Sequence, residues 1–498
     1  MRVLWGQCAG LVTTFGPKSR IVLGRRHPTF AGPLQKENNL AIDRTKSPGL
    51  RVPSGRLSRL ARFGGLATNI AGGMMLDGAR QLASGKRPSV SDLLLTPANA
   101  LKVTHQLAQL RGAAMKLGQL VSMDAGEMLP PELAEILARL RSDAQHMPDG
   151  QLQAVLNQRW GRDWRVKFQS FAPRPFAAAS IGQVHRARTR DGRDLAVKIQ
   201  YPGVARSIDS DVDNVATLLQ MSNLLPKTLD IAPLLVEAKR QLHEEADYAR
   251  EGAYLVKFTE LLADAPEYRV PKFHPDLSGP EILAMSYVEG MPVESLARAS
   301  QEERDRVMLL LSTLTLRELF EFRLMQTDPN FANYRYDRAK GQLVLLDFGA
   351  TRAFPEQVVA GYRRLFEAAL ADDADAARDA MIGLGLFSPR AVERHRKSID
   401  AIIEHGLELF RREGIFDFGN VAAANAMRDE GLDIAADRAN WHIPPVDALF
   451  LQRKIAGVYL LATRLKARVD VRALIEAQLA QPVKADPIDQ PSAGALAS

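Results

Sequence analysis

Phe176-Ala-Ala-Ala-Ser180-Ile-Gly182-Gln-Val-His-Arg-Ala-Arg-Thr-Arg-Asp191-Gly192-Arg-Asp-Leu195-Ala-Val-Lys198-Ile199 is the stretch on which the reading of this chain turns. A run of small residues enters a period-two segment, Val184 to Arg188. Asp191-Gly192 carries hairpin turn chemistry, and a second period-two segment follows from Leu195 to Ile199. A lysine on such a strand needs an anionic partner, because an unpaired ammonium taken out of water is costly. Candidates stand about fifty residues downstream, on one long helical pattern covering 230–263: Glu244, Glu245, Asp247 and Glu251.

Farther along come Asp328-Pro-Asn-Phe-Ala-Asn333 and, nineteen residues after Asp328, Asp347-Phe348-Gly349. A small-residue loop, a strand lysine, a helix glutamate, an Asp-x4-Asn loop and Asp-Phe-Gly form, in that order, the set that protein kinases use. In such a set Lys198 neutralises phosphate charge, Asp328 is the catalytic-loop carboxylate, and Asn333 and Asp347 offer hard oxygens to Mg2+. Singly the elements say little: Lys198 alone reads as a snorkelling strand lysine and Asp347 alone as a turn residue. The order carries the inference.

The departures from that set are equally informative. Alanines replace the glycines of the phosphate loop, so its backbone is less free to adopt positive φ. Gln326-Thr327 precedes Asp328, with no His-Arg, and after Gly349 the chain returns to helix at Phe354-Pro355-Glu356. That leaves no room for an activation segment that docks a peptide. No Gly-x4-Gly-Lys-Ser/Thr is present, which excludes a P-loop NTPase. His243-Glu244-Glu245-Ala246-Asp247 opens like a zinc-protease helix, but Asp247 stands where the second histidine is required.

Composition bounds the rest. The 498 residues are 46% apolar and 25% charged, which is globular usage. One cysteine, Cys8, rules out a disulfide framework. The net charge is +7, yet residues 1–60 hold eleven basic and two acidic side chains, so the remainder is slightly acidic and nucleic acid is not an expected partner. The first 36 residues contain no acid, the composition of a transit peptide or of a basic disordered head. No run approaches the ~18 apolar residues of a membrane span. The pattern divides into a disordered basic leader (1–50), an N-terminal helical extension (51–163), a sheet-bearing lobe (164–290), a helical lobe (291–480) and a flexible tail (481–498). Within the extension, Gly64, Gly65, Gly72 and Gly73 favour close helix packing, with an amphipathic helix on a membrane surface as the other reading.

Five segments then acquire a more specific meaning: Lys116-Leu-Gly-Gln119, Ala177-Ala-Ala-Ser180, Glu245-Ala-Asp247, Gln326-Thr-Asp-Pro-Asn330 and Leu345-Leu-Asp-Phe-Gly-Ala-Thr-Arg352. With these the sequence resembles the UbiB family of atypical kinase-like proteins, the AarF-type group tied to ubiquinone biosynthesis, from about Val52 to Ala477. The resemblance implies an α+β, protein-kinase-like two-lobed fold: a small antiparallel sheet lobe, a mainly helical lobe and an N-terminal helical extension lying over the cleft. It implies ATP or ADP with Mg2+ as cofactors. Ala177, Ala178, Ala179 and Ser180 would cover the phosphates, and backbone groups of Ser286 and Val288 would meet adenine. Lys116 and Gln119 would reach in to Glu245 and Asp247. Glu251 is the first choice as the partner of Lys198, with Glu245 close behind, and the sequence does not separate them. The implied activity is ATP hydrolysis or small-molecule phosphotransfer supporting ubiquinone biosynthesis; the alternative is a non-catalytic pseudokinase scaffold for a quinone-biosynthesis complex. Expected partners are the nucleotide, quinone-biosynthesis proteins and a membrane lipid surface. The expected address is cytoplasmic with peripheral membrane contact, or the mitochondrial matrix if the basic leader is a transit peptide.

Overall fold

The computed structural model describes residues 147–221, 232–411, 413–437 and 444–481. The expected leader, Lys116 and Gln119 of the extension, and residues 482–498 of the tail lie outside the described residues.

The first lobe is built on a sheet with one apolar face and one working face. Helix α1 (Asp149–Trp160) leads into strands β1 (Phe168–Phe171), β2 (Ala177–Ala178), β3 (Gly182–Thr189) and β4 (Asp194–Gln200). Helices α2 (Val204–Met221), α3 (Ala232–Glu245) and α4 (Tyr248–Leu261) follow, then β5 (Tyr268–Arg269) and β6 (Ile282–Ser286). The sheet order is β1-β3-β4-β6, with β2 paired to β3, all antiparallel. Along β4, Leu195, Val197 and Ile199 point into a cluster with Leu152, Leu156, Trp164 and Phe168. Burying three such side chains contributes roughly 1.5–3 kcal/mol each. Strand alternation therefore turns Lys198 to the opposite face, toward α4. The hairpin at Asp191-Gly192 is longer than a two-residue turn: β3 ends at Thr189 and β4 begins at Asp194.

The helical pattern read as one helix over 230–263 is two. α3 ends at Glu245 and α4 starts at Tyr248, with Asp247 capping it by accepting the Arg250 N–H at 2.9 Å. Gln200 Nε2 donates to the Ala246 carbonyl at 2.7 Å, which satisfies the backbone at the break. An aspartate inside a continuous apolar pattern hid this boundary.

The second lobe holds β7 (Met291–Pro292), α5 (Gln301–Phe320), β8 (Leu324–Gln326), β9 (Tyr334–Asp337), β10 (Gln342–Leu345), β11 (Thr351–Ala353) and α6 (Glu356–Leu370). After these come α7 (Ala374–Gly383), α8 (Pro389–Arg394), α9 (Arg396–Arg411), β12 (Phe416–Asp417), α10 (Ala422–Ala436), α11 (Val446–Leu465), β13 (Arg468–Val469) and α12 (Val471–Leu479). This lobe is less purely helical than its sequence pattern. With β5 from the end of the first lobe it forms a four-stranded sheet, order β5-β10-β9-β7, and it contains the antiparallel pair β8–β11. A shared core joins the lobes, with Tyr254 and Phe258 of α4 packed among residues such as Val307, Leu311 and Leu345.

Candidate functional site

The centre of the site is a buried ion pair. Lys198 Nζ lies 2.9 and 3.0 Å from the two carboxylate oxygens of Glu251, with side-chain exposures of 9% and 1%. Asp347 Oδ2 stands 3.4 Å from the same ammonium. Burial pulls the Lys198 pKa down, but Asp347 and Glu251 outweigh it, and the group is held well above the ordinary lysine value. Burial pushes the Glu251 carboxyl up to about 7, against the pull of Lys198 and with added repulsion from Asp347. Glu245 goes elsewhere. Six residues before Glu251, and across the α3–α4 break, it accepts the Ser180 hydroxyl at 2.7 Å.

The alanine loop is a pinned hairpin. Ala177 and Ala178 pair with Val184 and Gln183, and the Ala179 N–H donates to the Gly182 carbonyl at 2.9 Å. At its tip Ile181 is buried against the α4 core while Ser180 reaches Glu245. Gly182 lets the loop descend onto β4: a Cβ there would stand 2.3 Å from the Ile199 carbonyl oxygen. At the end of β6, the Ser286 N–H donates to the Lys272 carbonyl and the Tyr287 N–H to the Asp194 carbonyl. Of its backbone groups Ser286 thus has only a carbonyl to offer a ligand, and Val288, two residues on, is buried.

The second group of expected residues comes from the β9–β10 hairpin. Asn333 enters β9 and Asp347 follows β10. The pairing of Tyr334 with Leu345, and the Leu346 N–H to Asn333 carbonyl bond at 3.0 Å, bring the two ends together. Asn333 Nδ2 donates to Asp328 Oδ2 at 3.1 Å, so the Asp328–Asn333 loop is closed on itself. Asp347 Oδ1 accepts the Gly349 N–H at 2.9 Å. Phe348 anchors the turn in the core, with its ring 4.7 Å from that of Phe258 on α4.

Two further sets of residues were given no role by the sequence reading. Arg250, beside Glu251, donates to the carbonyls of Gly349 (3.1 Å) and Thr351 (2.6 Å), strapping the short segment after Asp347 to α4. Arg453 and Lys454 of α11 meet the Asp328 loop from below, with Arg453 Nη2 3.4 Å from Asp328 Oδ1. A basic pair, preceded by Gln452, within the mainly apolar run from Leu449 to Leu461 was the available signal. Beside the loop lies a shallow crevice lined by Arg240, Gln241, Glu245, Asp328, Arg352 and Arg453, among others. Among the described residues, no cluster of three or more His, Cys, Asp or Glu is arranged for a metal ion, and no helix is long and apolar enough to cross a membrane.

This two-lobed α+β fold, with its strand lysine, helix glutamate and Asp-Phe-Gly turn, is that of a kinase-like protein. Residues 139–381 match the ABC1 atypical kinase-like domain. The chain is 39% identical to atypical kinase COQ8B, mitochondrial, of Rattus norvegicus, over 86% of this chain and 81% of that one. It is 37% identical to atypical kinase COQ8, mitochondrial, of Saccharomyces cerevisiae, over 85% of each. A solved structure of Rv3197 with erythromycin, from Mycobacterium tuberculosis, superimposes with a TM-score of 0.55 at 28% identity, covering 77% of this chain and 97% of that one. The chain belongs to the ABC1/COQ8 family of atypical kinases. These curated relatives are named mitochondrial, which gives the cytoplasmic address expected first no support.

Proposed function

We propose that this chain is an atypical kinase that binds Mg2+ with ATP or ADP between its lobes and hydrolyses ATP, or transfers phosphoryl to a small acceptor, in support of ubiquinone biosynthesis. The observation that carries the reading is the buried Lys198–Glu251 pair with Asp347 at 3.4 Å. A buried ion pair is poor value for stability alone, whereas an ammonium preset by one carboxylate is ready for phosphate oxygens. One carboxylate and one amide oxygen, Asp347 and Asn333, fit Mg2+, which favours few protein ligands with phosphates and water completing its shell. Asp328 is the group we assign to the acceptor's proton, and the pinned loop at Ala177–Ser180 is the cover over the phosphates. Glu245 and Asp247 are assigned to the same cleft, and Lys116 and Gln119 of the extension are proposed to reach them there. Adenine is assigned to the Ser286 carbonyl and the Val288 backbone.

The link to quinone lipids rests on kinship with COQ8 proteins, as does a mitochondrial-type address. Quinone-biosynthesis proteins and a membrane surface are the partners this reading implies. The test is phosphate release by the whole chain and by its Asp347→Asn variant, together with quinone content in a deletion strain complemented by each. The variant is expected to lose release and to fail complementation. Equal release would sink the enzyme in favour of a nucleotide-binding scaffold.

A further inference from the structure

Resting on that reading of Asp328, we infer that Arg453 and Lys454 of α11 are positioning residues that hold the Asp328 loop in register for turnover. The loop lacks the His-Arg that precedes the aspartate in ordinary kinases, so its support must come from elsewhere in the chain. Lys454 is 1% exposed, and its Nζ donates to the Gln326 carbonyl at 2.7 Å, to Gln326 Oε1 at 3.2 Å and to the Tyr334 hydroxyl at 2.6 Å. Glu318 of α5, its buried ion-pair partner at 3.3 Å, accepts the Gln326 N–H at 3.2 Å. Both backbone groups of Gln326 are thus held by oppositely charged side chains from two different helices.

The grip continues along the same helix. Arg453 Nη2 lies 3.4 Å from Asp328 Oδ1, while Asn333 holds the other oxygen. One turn on, Gly457 seats Pro329 so closely that a Cβ would come within 2.3 Å of the Pro329 Cβ. Positions 453, 454 and 457 therefore clasp residues 326, 328 and 329 from some 125 residues downstream. Fully buried ion pairs seldom repay their desolvation, and apolar replacements are often neutral or stabilising. The placement of this pair directly under Gln326-Thr327-Asp328 is what a positional role explains.

The variants are Arg453→Gln, Arg453→Lys, Lys454→Met, and Lys454→Met combined with Glu318→Leu, which removes the stranded charge. Each is measured for phosphate-release kcat, Mg-ADP affinity by calorimetry, thermal unfolding, and amide exchange over 326–333. The expected result is a fall in kcat of at least about tenfold for Arg453→Gln and Lys454→Met, since small misplacement of a reacting group is that expensive. Mg-ADP affinity stays within about threefold, because Lys198 and Asp347 are untouched. Arg453→Lys recovers part of kcat, and the double variant regains thermal stability without regaining kcat. Recovery of kcat along with stability, or wild-type turnover in Arg453→Gln and Lys454→Met, overturns the inference. No turnover in the wild-type chain refutes the phosphoryl-transfer reading instead; faster exchange over 326–333 in Lys454→Met then upholds the anchoring, and unchanged exchange overturns it.

Discussion

Replacing Lys198 by methionine isolates the energetics of the central pair, because it keeps most of the volume and removes only the charge. Glu251 is then left 1% exposed with no counter-ion and with Asp347 still nearby. Breaking a buried pair costs about 3–5 kcal/mol when the survivor stays charged. The Lys198–Asp347 contact adds little, since at 3.4 Å and with Asp347 38% exposed it is worth about 1 kcal/mol or less. Glu251 has an escape by taking a proton, and its pKa, already about 7 in the intact pair, rises further without the ammonium. The sign follows from linkage. A carboxyl whose folded pKa is raised gives stability that is complete below its unfolded value near 4.5 and is lost as pH rises through the folded value. Wild type loses stability on this account only up to about pH 7, whereas the variant goes on losing it above. Between pH 7 and 8 the gap should widen by up to about 1 kcal/mol, the variant losing nearly the full ~1.4 kcal/mol per pH unit and the half-ionised wild type about a quarter of it. Urea unfolding at pH 6, 7 and 8, followed by the fluorescence of Trp160 and Trp164 in the sheet lobe, reads this directly. A penalty that is the same at pH 6 and 8, or one below about 1 kcal/mol at pH 8, would refute the reasoning.

Three further outcomes are expected. Lys198→Ala should weaken Mg-nucleotide affinity at least about tenfold by calorimetry, the loss of charge-assisted contacts worth roughly 1.5–3 kcal/mol; unchanged affinity would contradict its assignment. Phosphate release should rise with pH through about 7, as Glu251 ionises and secures Lys198, and a pH–rate profile of Glu251→Gln should be low and lack that rise. Gly182→Ala should destabilise the sheet lobe by about 1–3 kcal/mol in thermal unfolding, because its Cβ would meet the Ile199 carbonyl oxygen at 2.3 Å; an unshifted midpoint would show that the loop has more room than the register allows.

The residue order alone was enough for the class of fold and for the names of the candidate residues. Strand alternation set Lys198 opposite Leu195, Val197 and Ile199, and the Asp-x4-Asn and Asp-Phe-Gly spacings marked two loops without any knowledge of packing. Those signals are local, and local periodicity survives in one dimension. The sequence left the partner of Lys198 open because Glu245 and Glu251 occupy the same helical pattern. The break at Ala246–Asp247 turns one toward Ser180 and the other toward Lys198. The nearness of Asn333 and Asp347 depends on β9, a strand with too weak an apolar pattern to announce itself; its hairpin register with β10 joins them. Most remote of all is α11, whose Arg453 and Lys454 acquire a role only when the helix is laid under the Asp328 loop. Tertiary structure alone decides such contacts, because the charge on a buried side chain is tolerable only where a distant segment supplies its counter-ion and hydrogen bonds, and no local pattern encodes that meeting.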